Sequence, residues 1–367
     1  SDRSSGGWPV EFDFEPFSHE FPRLREVHSI GRGLEFLNRQ LSGQLLAQSD
    51  VGLKRLTSFL SLHTLDGHQL MLNPQLDDPE AVRRGLREAR GLLEKHPPDT
   101  KWPDVEPELR GLGLEPGWGR TVARIRETTK LLQDLLEAPG PRLLESFLAR
   151  IPMIFNVAIM SPHGYFAQSN VMGLPDTGGQ VVYILDQVRA LEREMTNRIY
   201  QQGLNIKPQI VIITRLIPES GDTTCHLKEE LIQGTDNVHI IRIPFRAPDG
   251  SIVKHWLSRF EVWPYLETFS IEAEAELLAR LDRRPDLIIG NYSDGNLAAY
   301  IIAQRLGVTQ CTIAHALEKT KYLYSALYWQ DMEEQYHFSC QFTADLIAMN
   351  ASDFIITSTF QEIAGSS

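Results

Sequence analysis

Hydrophobic positions along the chain fall into two textures. In the first 150 or so residues they recur at helical spacing among charged neighbours: Leu34, Leu37, Leu41 and Leu45, then Val82, Leu86, Ala89 and Leu93, then Val122, Ile125, Leu132 and Leu136. Steps of three and four residues place such side chains on one helix face, so residues 29–150 are expected to form a helical domain. Its breaks fall at Asn73-Pro74, His96-Pro-Pro-Asp99, Pro116-Gly117 and Pro139-Gly-Pro141, where proline removes a donor and restricts the residue before it. The acidic and aromatic run from Glu11 to Phe17 precedes the first helical pattern and reads as part of an extended arm over residues 1–28.

After Pro152 the pattern changes. Short apolar runs at 153–159, 209–214, 239–244, 286–290, 310–314 and 353–357 are candidate buried strands, and helical patterns at 181–193, 272–281 and 297–305 lie between them. Alternating strands and helices, with strands apolar on both faces, call for a parallel sheet covered on both sides. The fold class is therefore α/β, a helical region followed by a Rossmann-like doubly wound sheet over residues 151–367. Ligands bind such sheets beyond the carboxyl ends of the strands, where strand order reverses. Three polar clusters follow strands directly: residues 161–179, Gly290-Asn-Tyr-Ser-Asp-Gly-Asn296, and His315-Ala-Leu-Glu-Lys-Thr-Lys321.

The first cluster reads as a phosphate site. A strand feeds the loop Ser161-Pro-His-Gly-Tyr-Phe-Ala-Gln168, then Pro175-Asp-Thr-Gly-Gly-Gln180, and a helix begins at once. First-turn amides lack intrahelical partners and the helix dipole puts partial positive charge there. Without Cβ atoms, Gly178 and Gly179 would let a diphosphate approach the backbone and would permit φ values other residues resist. The plainer alternative is a tight turn with Asp176 or Thr177 as helix cap. His163 and His315 taken singly would more often be hydrogen-bonded structural residues. Their shared address at strand ends beside this loop, with Lys319 and Lys321 to supply positive charge, favours a ligand site.

Composition narrows the partners. The chain has 367 residues, 42% of them hydrophobic and 23% charged, as expected for a soluble globular protein of two or three domains. A formal charge of −12 gives no basic excess for phosphate backbones, so small molecules rather than nucleic acid are the expected partners. No apolar run approaches the roughly 20 residues that span a bilayer, and no signal pattern opens the chain, which suggests a cytoplasmic protein. Cys225, Cys311 and Cys340 are widely separated and suggest ordinary buried thiols rather than disulfides or a metal knuckle.

Spacing sets several chemistries aside. Gly290-Asn-Tyr-Ser293 has one residue too many for a nucleophile elbow. No phosphate-loop G-x-x-x-x-G-K-[ST] occurs, and Gly111-x-Gly113 neither follows a strand nor has the third glycine of a dinucleotide fingerprint. No H-E-x-x-H or D-x-D is present, so no carboxylate seat for a divalent metal is evident.

These residues resemble the sucrose synthases. The likeness runs through Ser161–Gln168 and Pro175–Leu191, then Arg259-Phe-Glu-Val-Trp-Pro-Tyr-Leu-Glu267, Asp286–Asn296, Thr309–Lys321, Tyr336–Asp345 and Ile355–Gly365. In the helical part it includes Glu35-Phe-Leu-Asn-Arg39, Gly117-Trp-Gly119 and Leu135-Leu-Glu-Ala-Pro139. The resemblance implies the amino-terminal half of a GT-B fold and a retaining, metal-independent glucosyl transfer: sucrose and UDP or ADP giving fructose and the nucleotide glucose, with no cofactor. It further implies that Gly178 and Gly179 hold the diphosphate, that His315 has a catalytic role beside the anomeric carbon, and that His163, Gln180 and Lys321 contact fructose. A homo-oligomer, a tetramer in the family, is the implied assembly.

The resemblance further implies that the chain stops before the family's second Rossmann-like domain and lacks part of the amino-terminal regulatory domain, of which the arm would be the tail. Moreover, Ser358-Thr-Phe-Gln361 opens a helix pattern barely two turns before Ser367. The chain is therefore expected to be a fragment of a longer enzyme, inactive alone. Two alternatives remain open: a sucrose-phosphate synthase acting on fructose 6-phosphate, and a non-catalytic nucleotide-binding or oligomerisation module.

Overall fold

A computed structural model of the chain describes residues 49–314 and 329–357. The arm at 1–28, the Leu34–Leu45 helical pattern, His315 and Lys321 lie outside the described residues. The chain divides into two compact units. One comprises the described residues up to Pro97 with Glu106–Glu115 and Arg126–Ala149; the other comprises Pro98–Val105, Pro116–Ile125 and the described residues from Arg150 onward.

In the first unit, helix α1 (Ser49–Leu62) leads into a small hairpin, β1 (Thr64–Leu65) and β2 (His68–Gln69), which turns at Asp66 and Gly67 with φ of 50° and 79°. Positive φ at both turn positions matches the right-handed twist of the flanking strands. Helix α2 (Pro79–Leu93) starts where Asp78 Oδ1 accepts the N–H groups of Glu80 and Ala81 at 2.7 and 2.8 Å, with proline at its first position. This is the arrangement that satisfies orphan amides without an intrahelical partner. It buries Val82, Leu86, Ala89 and Leu93, the face its spacing predicts. Helices α3 (Trp102–Gly111), α4 (Val122–Glu137) and α5 (Pro141–Leu148) follow.

Residues 98–105 and 116–125 depart from the expected boundary at 150, because they belong to the second unit. Their backbone explains it. Trp102 N–H donates to the Arg120 carbonyl and Arg120 N–H to the Gln201 carbonyl, both at 2.9 Å, while the Arg120 guanidinium lies 3.7 Å from the Tyr200 ring centroid. Gln202 donates to the Gly117 carbonyl at 3.3 Å and accepts from Arg124 Nε at 3.0 Å. Apolar periodicity carries no record of such bonds.

The second unit is built on a seven-stranded sheet of order β5-β6-β4-β3-β7-β8-β9. Its strands are β3 (Asn156–Ser161), β4 (Gln209–Leu216), β5 (Glu229–Leu231), β6 (Val238–Pro244), β7 (Leu287–Asn291), β8 (Thr309–Ala314) and β9 (Phe354–Thr357). All pairings are parallel except β5 with β6. The parallel strands are those the apolar runs predict, with β3 starting three residues later than expected. The charged edge strand β5 is too short and polar to show in the pattern.

Both faces of the sheet are covered across its central strands, and strand residues alternate between them as a pleat requires; β9 departs from the buried strand expected at 353–357, since Phe354, Ile355 and Ile356 are exposed. On one side Val157, Ile159, Ile210, Ile212, Val238 and Ile240 pack with Val181, Ile184, Leu185 and Val188 of α6 (Gly179–Gln201). On the other, Ala158, Met160, Val211, Ile213 and Ile288 pack with α7 (Leu266–Leu281) and α8 (Tyr292–Leu306). A fully buried isoleucine or valine contributes about 1.5–3 kcal/mol, so this double layer dominates the unit's stability. Helix α9 (Phe338–Ala351) packs on α8. It has apolar residues on all sides, from Phe338 and Phe342 to Leu346 and Ile347, which is why no stripe announces it.

Cys225 and Cys311 are buried as expected, and burial pushes the Cys311 thiol up to about 12. Cys340 departs from that expectation: it is exposed on α9.

Candidate functional site

Strand order runs outward from β3 to β4 and β6 on one side and from β7 to β8 and β9 on the other. The reversal therefore lies between β3 and β7, where connections leave to opposite faces and open a crevice at the strand ends. The loops after these two strands carry the site.

After β3 the chain folds onto itself. Gly164 has φ +75°, and a Cβ there would sit 2.3 Å from the Asp176 carbonyl oxygen, so both conformation and space require glycine. Tyr165 N–H donates to Thr177 Oγ1 at 2.9 Å, and Thr177 donates to the Pro175 carbonyl at 3.0 Å. The two segments whose residues stand out in the sequence, 161–168 and 175–180, are thus laid against each other. A second anchor is Gln168, which donates to Glu230 Oε1 at 2.6 Å and accepts from Gln233 N–H at 2.6 Å. Glu230 in turn accepts from Arg242 at 2.7 Å and Thr224 at 2.9 Å. Burial alone would raise the Glu230 carboxyl, but these donors and the Arg242 charge hold it below the usual carboxylate range.

Helix α6 begins at Gly179 with Gly178 as its N-cap and no side-chain cap. The plainer alternative, in which Asp176 or Thr177 caps the helix, does not hold: Thr177 is spent on Tyr165 and Pro175, and Asp176 accepts the Arg259 N–H at 2.9 Å. The expected backbone reason for the glycine pair is corrected as well. Gly178 has φ −138°, Gly179 is not in the left-handed region either, and a Cβ on either glycine would meet nothing within 4 Å among the described residues. Folding of the described chain does not call for glycine at these two positions; unobstructed approach to the helix start does. Gln180, in the first turn of α6, donates to Ser161 Oγ at 2.6 Å and so ties that turn to the end of β3.

His163 is 6% exposed. Its Nδ1 lies 2.7 Å from Asp294 Oδ1, and its ring packs edge-on against Tyr292 at 5.1 Å. Burial pushes the imidazole down, yet the charge and hydrogen bond of Asp294 and the charge of Asp176 outweigh burial and the opposing Arg259, and the net direction is up. The cluster 290–296, expected to be a loop after β7, is in its larger part the first turn of α8. Polar residues serve well there because first-turn amides have no helical acceptor. Gly295 permits the close approach: a Cβ on it would stand 2.6 Å from the Met160 carbonyl of β3.

Of the expected site residues, Gly178, Gly179, Gln180 and His163 are gathered at one sheet edge, while His315 and Lys321 lie outside the described residues. Asp294 and Arg259 were not singled out by sequence, and Asp176 only as a helix cap. Their signal was membership of the strand-end cluster and of the longer motifs, which does not rank one residue above another. Among the described residues, no group of three or more His, Cys, Asp or Glu could hold a metal ion.

Residues 142–367 match the family model described as the sucrose synthase first GT-B domain, and residues 32–120 match the sucrose synthase EPBD domain. The chain belongs to the sucrose synthase family. It is 56% identical to a sucrose synthase of Denitrovibrio acetiphilus over 98% of its length, and 56% identical to those of Nitrosomonas europaea and Pisum sativum over 97%. It spans 46%, 45% and 44% of those relatives, somewhat under half their length. Among solved structures, a sucrose-phosphate synthase of Thermosynechococcus elongatus overlays with TM-score 0.43 at 20% identity, covering 57% of this chain and 43% of that one. That likeness is too loose to argue from. The helical region, the mostly parallel sheet and the family match make this the α/β, GT-B architecture expected from the sequence.

No helix among the described residues is long and apolar enough to cross a membrane.

Proposed function

We propose that this chain supplies one wall of a reversible, retaining glucosyl-transfer site, in which sucrose and UDP or ADP exchange with fructose and the nucleotide glucose. The observation that carries the reading is the start of α6 at Gly178–Gly179, which has no side-chain cap, where a Cβ on either glycine would meet nothing within 4 Å among the described residues, and which lies at the switch-point edge of the sheet. Membership in the sucrose synthase family supports it.

On this reading the α6 amides and helix dipole stabilise the negative charge that develops on the diphosphate as its bond to glucose breaks in the sucrose-forming direction, and hold the same diphosphate in place as the attacking group in the reverse. Gln180 and His163 face the acceptor sugar, together with Lys321, and His315 acts at the anomeric centre. Same-face attack, with the phosphate accepting the acceptor's proton, gives retention without a glycosidase pair of carboxylates. The reaction as proposed draws on neither metal nor cofactor. Homo-oligomeric assembly and a cytoplasmic location belong to the same proposal and rest on the family resemblance and the sequence reading.

Two measurements test it. Fructose release from sucrose with UDP or ADP is expected from the protein at the length of its relatives, and none under any condition would favour a binding module. Gly179→Val is expected to abolish nucleoside diphosphate binding while the far-ultraviolet circular dichroism stays that of the parent. Retained affinity in a folded variant would remove the diphosphate role from this loop.

A further inference from the structure

Behind His163 stands a carboxylate that no spacing rule singles out. Asp294 is the third residue of α8, its Oδ1 is 2.7 Å from His163 Nδ1, and the two side chains are 5% and 4% exposed. Its other oxygen, Oδ2, is buried with no hydrogen-bond partner among the described residues. A carboxylate so enclosed costs several kcal/mol unless a cation stands beside it, and the imidazole is the group in place to supply one. The charged and titratable groups that act on His163 are Asp294 from α8, Asp176 from the loop before α6, and Arg259 from the loop before α7. Two are acidic, and Arg259 is itself engaged with Asp176.

We infer that Asp294 is the positioning residue of the acceptor-sugar site: it holds the Nδ1–H of His163 inward, so that Nε2 faces a sugar hydroxyl, donating to it while the ring is protonated and accepting from it once the ring is neutral. A carboxylate at Nδ1 fixes both ring orientation and tautomer, because the nitrogen facing it must be the donor. Topology makes the pairing possible, since β3 and β7 are adjacent only at the switch point and Gly295 lets α8 approach β3 closely. Burial then protects the pair from water and salt. Net direction agrees: the ring holds its proton above the ordinary histidine value. The inference rests on the reading of His163 as an acceptor-sugar ligand and adds the group that makes it one.

The test titrates the histidine side-chain nitrogens of the ¹⁵N-labelled chain by NMR and measures fructose affinity by the same spectra. The proteins are the parent, Asp294→Asn, Asp294→Glu and His163→Ala. In the parent, His163 is expected to titrate above 6.5 and to keep its proton on Nδ1 once neutral. Asp294→Asn should lower that midpoint and weaken fructose binding by roughly tenfold or more, the scale on which partners of a ligating histidine act, with partial recovery in Asp294→Glu. A parent His163 that titrates below 6.5, or that carries its neutral-state proton on Nε2, overturns the inference without recourse to any variant. So does an Asp294→Asn protein with intact fructose affinity where His163→Ala has lost it. Unchanged affinity in His163→Ala would instead remove the sugar role of His163, a failure the sugar-free titration keeps separate.

Discussion

His163 and Asp294, 131 positions apart in sequence, meet at 2.7 Å across the seam between β3 and β7. Each leaves the carboxyl end of its strand, and the two strands are neighbours only because the chain reverses its direction of travel across the sheet there. The pair is therefore a product of topology, and it links the loop that carries the family's strongest motif to the helix on the other face.

This pair gives stability a pH dependence with a defined sign. The folded-state value of His163 lies above its ordinary 6.5, so its contribution is complete below 6.5 and is lost as pH rises through the folded value. Urea denaturation of the parent is expected to show stability falling across that window, and His163→Gln is expected to flatten the slope there.

Glycines of the loop between β3 and α6 should divide by role. Gly164→Ala faces both φ +75° and a carbonyl oxygen at 2.3 Å, and is expected to cost roughly 2–3 kcal/mol in thermal or urea unfolding. Gly179→Ala, with nothing within 4 Å among the described residues and at a helix start, should leave stability unchanged or slightly raised. Equal losses at both positions would contradict the assignment of one to folding and the other to a ligand.

Glu230→Gln strips the charge partner from Arg242, whose side chain is 0% exposed. Glu230 is part-buried and Arg242 keeps the carbonyls of Leu227 and Phe166, so losing the charge partner is expected to cost about 1–3 kcal/mol, and the variant should unfold at lower urea concentration. The parent carries a matching acid signature. Glu230 is held below its ordinary 4.5, so its stabilisation is present above 4.5 and disappears as pH falls through the lower folded value. Stability measured between neutral and acid pH should lose this step in the variant.

Asp286 anchors the start of the site-bearing strands, accepting the N–H groups of Phe155 at 2.7 Å and Asn156 at 2.9 Å. Asp286→Ala leaves both donors without that acceptor and is expected to cost about 2–4 kcal/mol, read as a shift in the urea midpoint. No change would mean that water replaces the carboxylate at this edge.

Much of the architecture could be read directly. The parallel strands β3, β4, β6, β7 and β8 announced themselves because a strand covered on both faces is apolar at nearly every position; β9 is equally apolar, yet its Phe354, Ile355 and Ile356 are exposed. The helix after Gly179 did so because its buried side repeats at Val181, Ile184, Leu185 and Val188. Helix α9 did not, since apolar residues all round leave no stripe. Nor did the first turn of α8, where Tyr292 to Asn296 looked like a loop, because burial of polar residues there depends on β3 lying alongside. The site was legible as an address. Motif and strand-end position marked His163, Gln180 and the glycine pair, but not the caps and partners. Asp176 reads as a helix cap until Arg259, 83 positions away, claims its carboxylate.

Sequence by itself determined what depends on neighbours along the chain. Apolar period, turn residues and motif wording are local, and they determined the α/β class and the family and marked the loop proposed to face a ligand. Tertiary structure decided whatever depends on which strands become adjacent. That includes the switch point between β3 and β7, the upward shift of His163, the open surroundings of Gly178 and Gly179 among the described residues, and the transfer of residues 98–105 and 116–125 to the sheet unit. The physical reason is range: periodicity and propensity act over a few residues, whereas a buried hydrogen bond or ion pair forms wherever the completed fold brings two groups within about 3 Å, however far apart they lie in the chain.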